Sequence, residues 1–203
     1  HGVVTDEPKS LSLLMELSPL GALRSLLDKT PEAVTGSERA QLSILTGVAL
    51  GMAYLHGQKP KPVLHHDLKS DNVLVWPDAV AGFVAKITDF GLASGTQGST
   101  MRTTRRQTGA ATLAYKAPEC FDDEPFTAAS EVYAFAIVAW EVLTGGVPWE
   151  GYSEARLTKA MVKEERPPLP DALASAPSGQ MVTRCWAQEP SKRLTFAALA
   201  TAL

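Results

Sequence analysis

Cysteine is nearly absent from the 203 residues: only Cys120 and Cys185 occur, too few for a disulfide framework, so a reducing compartment is expected. No sign of charge dominates either, because 19 Lys and Arg stand against 22 Asp and Glu for a formal net charge of -3. A generally basic surface for nucleic acid or an anionic membrane is therefore excluded, although a local basic patch is compatible with those totals. No uncharged apolar run approaches the roughly 18 residues a membrane span needs. The longest, 132–140, stops at Glu141 and reads as a buried helix. There is no internal repeat and no low-complexity tract. There is no secretory leader, and the chain opens His1-Gly2-Val3-Val4 without methionine, as expected of a piece cut from something longer. These absences lead us to expect a soluble, cytoplasmic segment with no nucleic-acid partner and no membrane contact of its own.

What is present is a globular composition, 45% hydrophobic and 20% charged, long enough for a substantial core. Residues 10–17 read as a buried strand ending at Ser18-Pro19, and 22–27 as a short helix after Gly21. A long helix is predicted from Ser37, with Glu38 in its first turn, to about His56. Leu42, Leu45, Ala49, Met52 and Ala53 lie on one face of it. Residues 62–64, 73–75 and 85–87 read as short strands, the last two joined by a turn. From 93 to 112 the chain is rich in Ser, Thr, Gly, Gln and Arg without apolar periodicity, which predicts a long surface loop. Residues 128–143 are apolar nearly all round and should form a central, enclosed helix. Helices are also predicted over 154–163 and 178–187 and from Thr195 onward, with Pro167, Pro168 and Pro170 breaking the chain between the first two. Short strands followed mostly by helices indicate an α+β or mainly α domain.

The chemistry-bearing stretch is His65-His66-Asp67-Leu68-Lys69-Ser70-Asp71-Asn72, followed by Asp89-Phe90-Gly91 and then Ala117-Pro118-Glu119. Each piece alone is weak, but in this order, between short apolar strands, the set is specific. The chain resembles the eukaryotic protein kinase family nearly end to end, and so an α+β, protein-kinase-like fold. Glu131-Val132-Tyr133-Ala134-Phe135, Trp140-Glu141-Val142-Leu143-Thr144-Gly145, Pro148-Trp149 and Arg184-Cys185-Trp186 suggest its tyrosine-kinase-like branch. The resemblance implies small-lobe strands over 1–15, a hinge over 16–21 and the large lobe over 22–203. Within that lobe it implies a catalytic loop at 65–72, an activation segment at 89–119 and a last helix cut short at Leu203.

The resemblance also implies a cast of residues. Phosphoryl transfer needs positioning and charge neutralisation more than covalent chemistry. Asp67 falls on the aspartate that accepts or orients the substrate hydroxyl proton. Lys69 falls on the lysine that steadies the γ-phosphate of ATP, and Asn72 and Asp89 on the oxygen ligands of Mg²⁺. Thr112 falls on the loop threonine expected to bond Asp67 and Lys69. Met15 matches the gatekeeper, Glu16, Leu17 and Ser18 the hinge beside the adenine edge, and Leu74 the residue beneath the adenine ring. Asp71 reads as a solvated loop charge. Phe90 and His65 should stack, and Glu119 and Arg193 should form a structural ion pair. The form Asp-Leu-Lys-x-x-Asn resembles serine/threonine kinases, so the implied partners are ATP and a protein bearing a Ser or Thr acceptor.

Four departures accompany the resemblance. No G-x-G-x-x-G precedes Met15, and Lys9 sits in a turn-like Glu7-Pro8-Lys9-Ser10 rather than in a Val-Ala-x-Lys strand. Without that phosphate anchor, these residues by themselves are not expected to be a competent kinase. His66 replaces the usual arginine before Asp67, and arginine alone of the two pairs with loop phosphate at any pH. Glu131 stands where the family has an aspartate holding the catalytic-loop backbone. Ala111 and Lys116 vary the loop before Ala117. The leading expectation is a serine/threonine protein kinase; the alternative is a pseudokinase serving as a nucleotide-binding or scaffold module.

Overall fold

A helix apolar on every side is stable only where protein surrounds it, and residues 128–144 organise the molecule on that basis. The computed structural model describes residues 2–7, 10–90, 110–121 and 125–203. In chain order the elements are β1 (Gly2–Glu7), β2 (Ser10–Leu14), α1 (Leu23–Lys29), α2 (Pro31–Thr35), α3 (Glu38–His56), β3 (Val73–Asp78), β4 (Gly82–Ile87) and α4 (Ala110–Leu113). They continue with α5 (Ala128–Thr144), α6 (Glu154–Val162), α7 (Asp171–Ser175), α8 (Pro177–Cys185) and α9 (Phe196–Ala202). The architecture is α+β, two antiparallel hairpins with a mainly helical body. No helix among the described residues is long and apolar enough to cross a membrane.

Every residue of α5 from Ser130 to Leu143 is buried, so the two carboxylates it carries, Glu131 and Glu141, must find partners inside the protein. Gly145 ends α5 at φ 72, and a Cβ there would stand 3.2 Å from the side chains of both Pro31 and Thr35. Only glycine permits that left-handed turn while α2 packs so close. Ser37 caps α3, its hydroxyl accepting from the Ala40 N–H at 3.3 Å. The buried stripe of α3 is Ala40, Ile44, Leu45, Val48, Ala49 and Met52. Leu42 is 37% exposed, against expectation, because a turn of about 100° per residue carries it away from Ala40 and Ile44. Gly47 lets α3 lie directly on β4, where a Cβ would come within 2.6 Å of the Ala85 carbonyl oxygen.

The β3–β4 hairpin runs in register from Val73 opposite Ile87 to Asp78 opposite Gly82. Its turn is closed by Asp78, whose Oδ1 accepts from the N–H groups of Val80 at 2.9 Å and Ala81 at 2.7 Å. Other expectations need correction. The strand predicted over 10–17 ends at Leu14 and pairs with β1, which the periodicity did not single out. Residues 62–64 form no named strand; the Val63 N–H instead returns to the Leu55 carbonyl at 3.0 Å, tying the connection to the end of α3. The predicted loop over 93–112 falls outside the described residues as far as 109, and its end is wound into α4. Lys9 also lies outside the described residues. The short helices α2 and α7 were hidden by prolines, which read as breakers yet sit at their starts, Pro31 inside the first turn and Pro170 just before it.

Candidate active site

The loop between α3 and β3 is fixed from below by a buried carboxylate. Glu131 of α5, wholly inaccessible, accepts the His66 N–H on Oε1 at 2.6 Å and meets His56 Nε2 with Oε2 at 2.7 Å. His66 sits at φ 68, a conformation costing a non-glycine residue about 1 kcal/mol or more, and the Glu131 bond holds it there. The extra methylene relative to aspartate therefore does not prevent the loop from being held. Burial lowers the His66 pKa, so the ring is neutral near pH 7 despite the nearby Glu131 charge; it also packs on Phe126 with centroids 4.8 Å apart.

His65 is fully buried, and its Nε2 lies 2.8 Å from the Thr88 carbonyl oxygen. A carbonyl only accepts, so Nε2 carries the proton and Nδ1 is left to accept the Asp67 N–H at 3.3 Å. That pair of bonds sets the Asp67 backbone. Its side chain is then gripped on one oxygen: Oδ2 accepts from Asn72 Nδ2 at 2.9 Å and pairs with Lys69 Nζ at 2.8 Å. The same Asn72 amide donates to the Asp67 carbonyl at 2.7 Å. Among the described residues, Asp67 Oδ1 and Asn72 Oδ1 accept no hydrogen bond. The result is an oriented carboxylate, 8% exposed, with one oxygen committed and one open.

Asp89 joins this loop through the backbone, since the N–H of the preceding Thr88 donates to the Asn72 carbonyl at 2.9 Å. It is exposed and stands at φ 64. The next residue, Phe90, meets the His65 ring edge-on at 5.3 Å, the expected stack. Gly91 lies outside the described residues. Asp71 is exposed, as a solvated charge should be.

Met15, Glu16 and Leu17 leave β2 as an exposed strap, Met15 and Leu17 with 57% and 88% of their surface open. Among the described residues the backbone groups of Glu16 and Leu17 have no hydrogen-bond partner. The strap is anchored at its far end, where Ser18 donates its hydroxyl to the Val75 carbonyl at 2.5 Å and the Val75 N–H donates to the Gly21 carbonyl at 3.0 Å. Half-buried Leu74 pairs with Ala22 in the same place. Glu16 reaches Lys86 at 2.6 Å, an exposed pair of small energetic weight. Thr112 is not brought to Asp67 or Lys69: α4 winds it into a helical turn, its carbonyl accepts from the Tyr115 N–H at 3.3 Å, and no hydrogen bond joins its hydroxyl to either residue.

The family described as protein tyrosine and serine/threonine kinase matches residues 1–203. This chain is a member of that family. Serine/threonine-protein kinase CTR1 of Arabidopsis thaliana is 36% identical over 199 residues, covering 98% of this chain and 23% of its own length. Human mitogen-activated protein kinase kinase kinase 11 is 34% identical over 204 residues, covering 97% of this chain and 22% of its own. Serine/threonine/tyrosine-protein kinase HT1 of Arabidopsis thaliana is 32% identical over 200 residues, with coverages of 97% and 47%. The chain thus spans less than half of the length of each of these three relatives, and it falls in the tyrosine-kinase-like branch.

The kinase scaffold around the loop rests on two further ion pairs. The expected one joins Arg193 to Glu119 in a fork, Nη1 to Oε1 and Nη2 to Oε2, each at 2.7 Å. Burial pushes the Glu119 carboxyl up, but the Arg193 bonds and charge, with Ser130, outweigh it and hold the pKa below its ordinary value. The second went unrecognised in the sequence. Glu141 of α5, fully buried, accepts from Arg24 of α1 at 2.7 Å, Ser70 of the loop between α3 and β3 at 3.0 Å and Tyr115 at 2.9 Å. Burial lifts the Glu141 carboxyl to about 7 against those three donors. The signal is a glutamate in the interior of an otherwise apolar helix, where a buried carboxylate must find a partner.

Proposed function

We propose that residues 1–15 are small-lobe strands, 16–21 a hinge and 22–203 the large lobe of a serine/threonine kinase, with the catalytic loop at 65–72 and the activation segment at 89–119. The parent protein would transfer the γ-phosphoryl group of Mg-ATP to Ser or Thr hydroxyls of proteins. The observation that carries this reading is the Asp67 carboxylate, with Oδ2 held by Lys69 and Asn72 and Oδ1 open. Oδ1 takes or orients the acceptor hydroxyl proton, a role that needs a fixed base within hydrogen-bond reach. Lys69, paired with Oδ2 of the same carboxylate, places a point charge suited to the transferred phosphoryl group.

The donor set fits magnesium. Asn72 spends its amide N–H groups on Asp67 and keeps Oδ1 available, while Asp89 offers an exposed carboxylate directly after a residue bonded to Asn72. Two protein oxygens completed by waters and phosphate oxygens suit this hard cation. Bound there, Mg²⁺ neutralises charge on the phosphate oxygens. The unpartnered backbone groups of Glu16 and Leu17 suit an adenine edge, Met15 and Leu74 offer apolar surface to its ring, and Ser18 anchors the strap. Thr112 is left out of this set, because α4 does not bring its hydroxyl to Asp67.

Serine/threonine specificity is supported by Lys69 and by relatives whose names carry it, CTR1 among them. The scaffold-module alternative loses one of its two supports, since Glu131 holds the loop as an aspartate would. His66 remains, and its neutral ring suits a kinase that does not use this position to bind loop phosphate. The test is transfer from γ-labelled ATP by the full-length protein, with phosphoamino-acid analysis. Label on serine or threonine is expected. No label above an Asp89→Asn control, or label on tyrosine alone, would reject the reading.

A further inference from the structure

Arg156, Lys159 and Lys163 recur at helical spacing along α6 and its C-cap, so they stand on one side of the helix. All three are exposed, and among the described residues none forms an ion pair. With Tyr152, Ala160 and Glu165 they line a shallow cleft of about 250 Å³. Its cations are not all loose. The Tyr152 N–H closes a turn on the Trp149 carbonyl at 2.9 Å, the two rings pack at 5.3 Å, and the Arg156 guanidinium lies 3.9 Å over the Tyr152 ring. That stack pre-orders the guanidinium and lowers the entropy lost on binding an anion. In a chain of net charge -3, three cations facing the single carboxylate of Glu165 are a local reversal of sign.

The position of the cleft narrows its partner. α6 packs against α4, which leads through Tyr115 into Ala117-Pro118-Glu119 at the end of the activation segment. We propose that the cleft docks an acidic, Asp- and Glu-rich stretch of the protein substrate at a distance from its acceptor hydroxyl, an inference that rests on the kinase reading above. Nucleic acid and anionic bilayers call for a broad positive surface. This patch is narrow and flanked by exposed Glu150, Glu154 and Glu164. Docking of this kind raises the local concentration of the acceptor and so acts on KM rather than kcat.

The test uses the full-length protein in two arms. In the first, fluorescence anisotropy measures a labelled Glu/Asp-rich peptide lacking Ser, Thr and Tyr, against its Gln/Asn counterpart. The acidic peptide is expected to bind, more weakly as salt is raised, and the triple variant Arg156→Glu, Lys159→Glu, Lys163→Glu to lose about tenfold. The triple glutamine variant should lose several-fold, and both should melt like wild type because all three side chains are exposed. In the second arm, an acceptor peptide carrying the acidic stretch should show a raised KM and an unchanged kcat in the variants. Equal binding of the acidic peptide by wild type and triple variant would overturn the proposal. So would a single-stranded oligonucleotide or phosphatidylserine vesicle that binds more tightly than the peptide through these residues. Peptide binding without any phosphotransfer would count against the kinase reading alone.

Discussion

Replacing Arg193 by alanine removes a guanidinium all five of whose N–H groups are used. Beyond the two bonds to Glu119, Nε donates to the Ala187 carbonyl at 2.9 Å, Nη1 to Ala129 at 3.0 Å and Nη2 to Gln188 at 3.2 Å. The substitution leaves three carbonyls short of a donor and Glu119 without its counter-charge. Removing one partner of a buried pair costs about 3–5 kcal/mol. The Glu119 side chain is 13% exposed, so water relieves part of that, and the lower half of the range applies. For a domain of this size each kcal/mol moves the melting temperature by about 2–4 °C, giving a fall of about 10 °C. The sign with pH follows from the depressed Glu119 pKa. The folded carboxyl binds its proton less readily than the unfolded one, whose ordinary value is 4.5, so the pair's stability is present above that pH. It is lost as pH falls through the folded value. Thermal unfolding by circular dichroism should therefore show a gap between wild type and Arg193→Ala at neutral pH that narrows on acidification. Below the transition the variant should keep the specific activity of the parent, because none of the Arg193 hydrogen bonds reaches residues 65–72. An unchanged melting temperature at neutral pH would refute the pairing argument.

Glu131→Ala should destabilise the fold by at least about 2 kcal/mol, because His66 at φ 68 and His56 both lose a buried acceptor. Denaturant unfolding reads the loss, and kcat should fall more than KM rises; a variant within error of wild type would contradict the account. Glu141→Gln should flatten part of the pH dependence of stability. The wild-type carboxyl, lifted to about 7, keeps its proton in the fold when the unfolded one has lost it. Wild-type stability should therefore fall from pH 4.5 to about 7 relative to the variant and run parallel above, as urea midpoints across that range will show. Any gain in activity from phosphate on Thr103, Thr104 or Thr108, threonines of the predicted loop over 93–112 that lie outside the described residues, should survive His66→Ala in a kinase assay, and its abolition would show that His66 binds loop phosphate after all.

The chain pattern foretold the elements whose signals were local. α3 begins at its capping Ser37, α5 is as enclosed as its all-round apolar sequence requires, and the β3–β4 hairpin appears around its turn. Errors arose where tertiary contacts decide. Leu42 and Ile44 are both apolar, and which of them is covered depends on how α3 packs against β4, α5 and α9. The strap at 15–17 is apolar enough for a strand, yet Leu17 is almost fully open. Within the site, linear motifs indicated Asp67, Lys69 and Asn72, neighbours in one loop, and Asp89, which joins that loop through the Thr88–Asn72 backbone bond. Thr112 was expected to bond Asp67 and Lys69, but its backbone is part of the short turn of α4 and its hydroxyl makes no hydrogen bond to either residue. His56, Arg24 and Tyr115 were illegible for the opposite reason: each is joined to α5 across a long stretch of chain, and no local pattern announces the carboxylates they serve.

In the proposed mechanism the open oxygen of Asp67 handles the acceptor proton while Lys69 and Asn72 hold the other. The most direct test is steady-state transfer from Mg-ATP to a Ser/Thr peptide by the full-length protein and its Asp67→Asn variant, with ATP binding measured in parallel. Asparagine keeps the size and a hydrogen-bonding oxygen but cannot take a proton. The account predicts a fall in kcat of about 10²–10⁴ with nucleotide affinity unchanged. A variant that retains most of its kcat would contradict it.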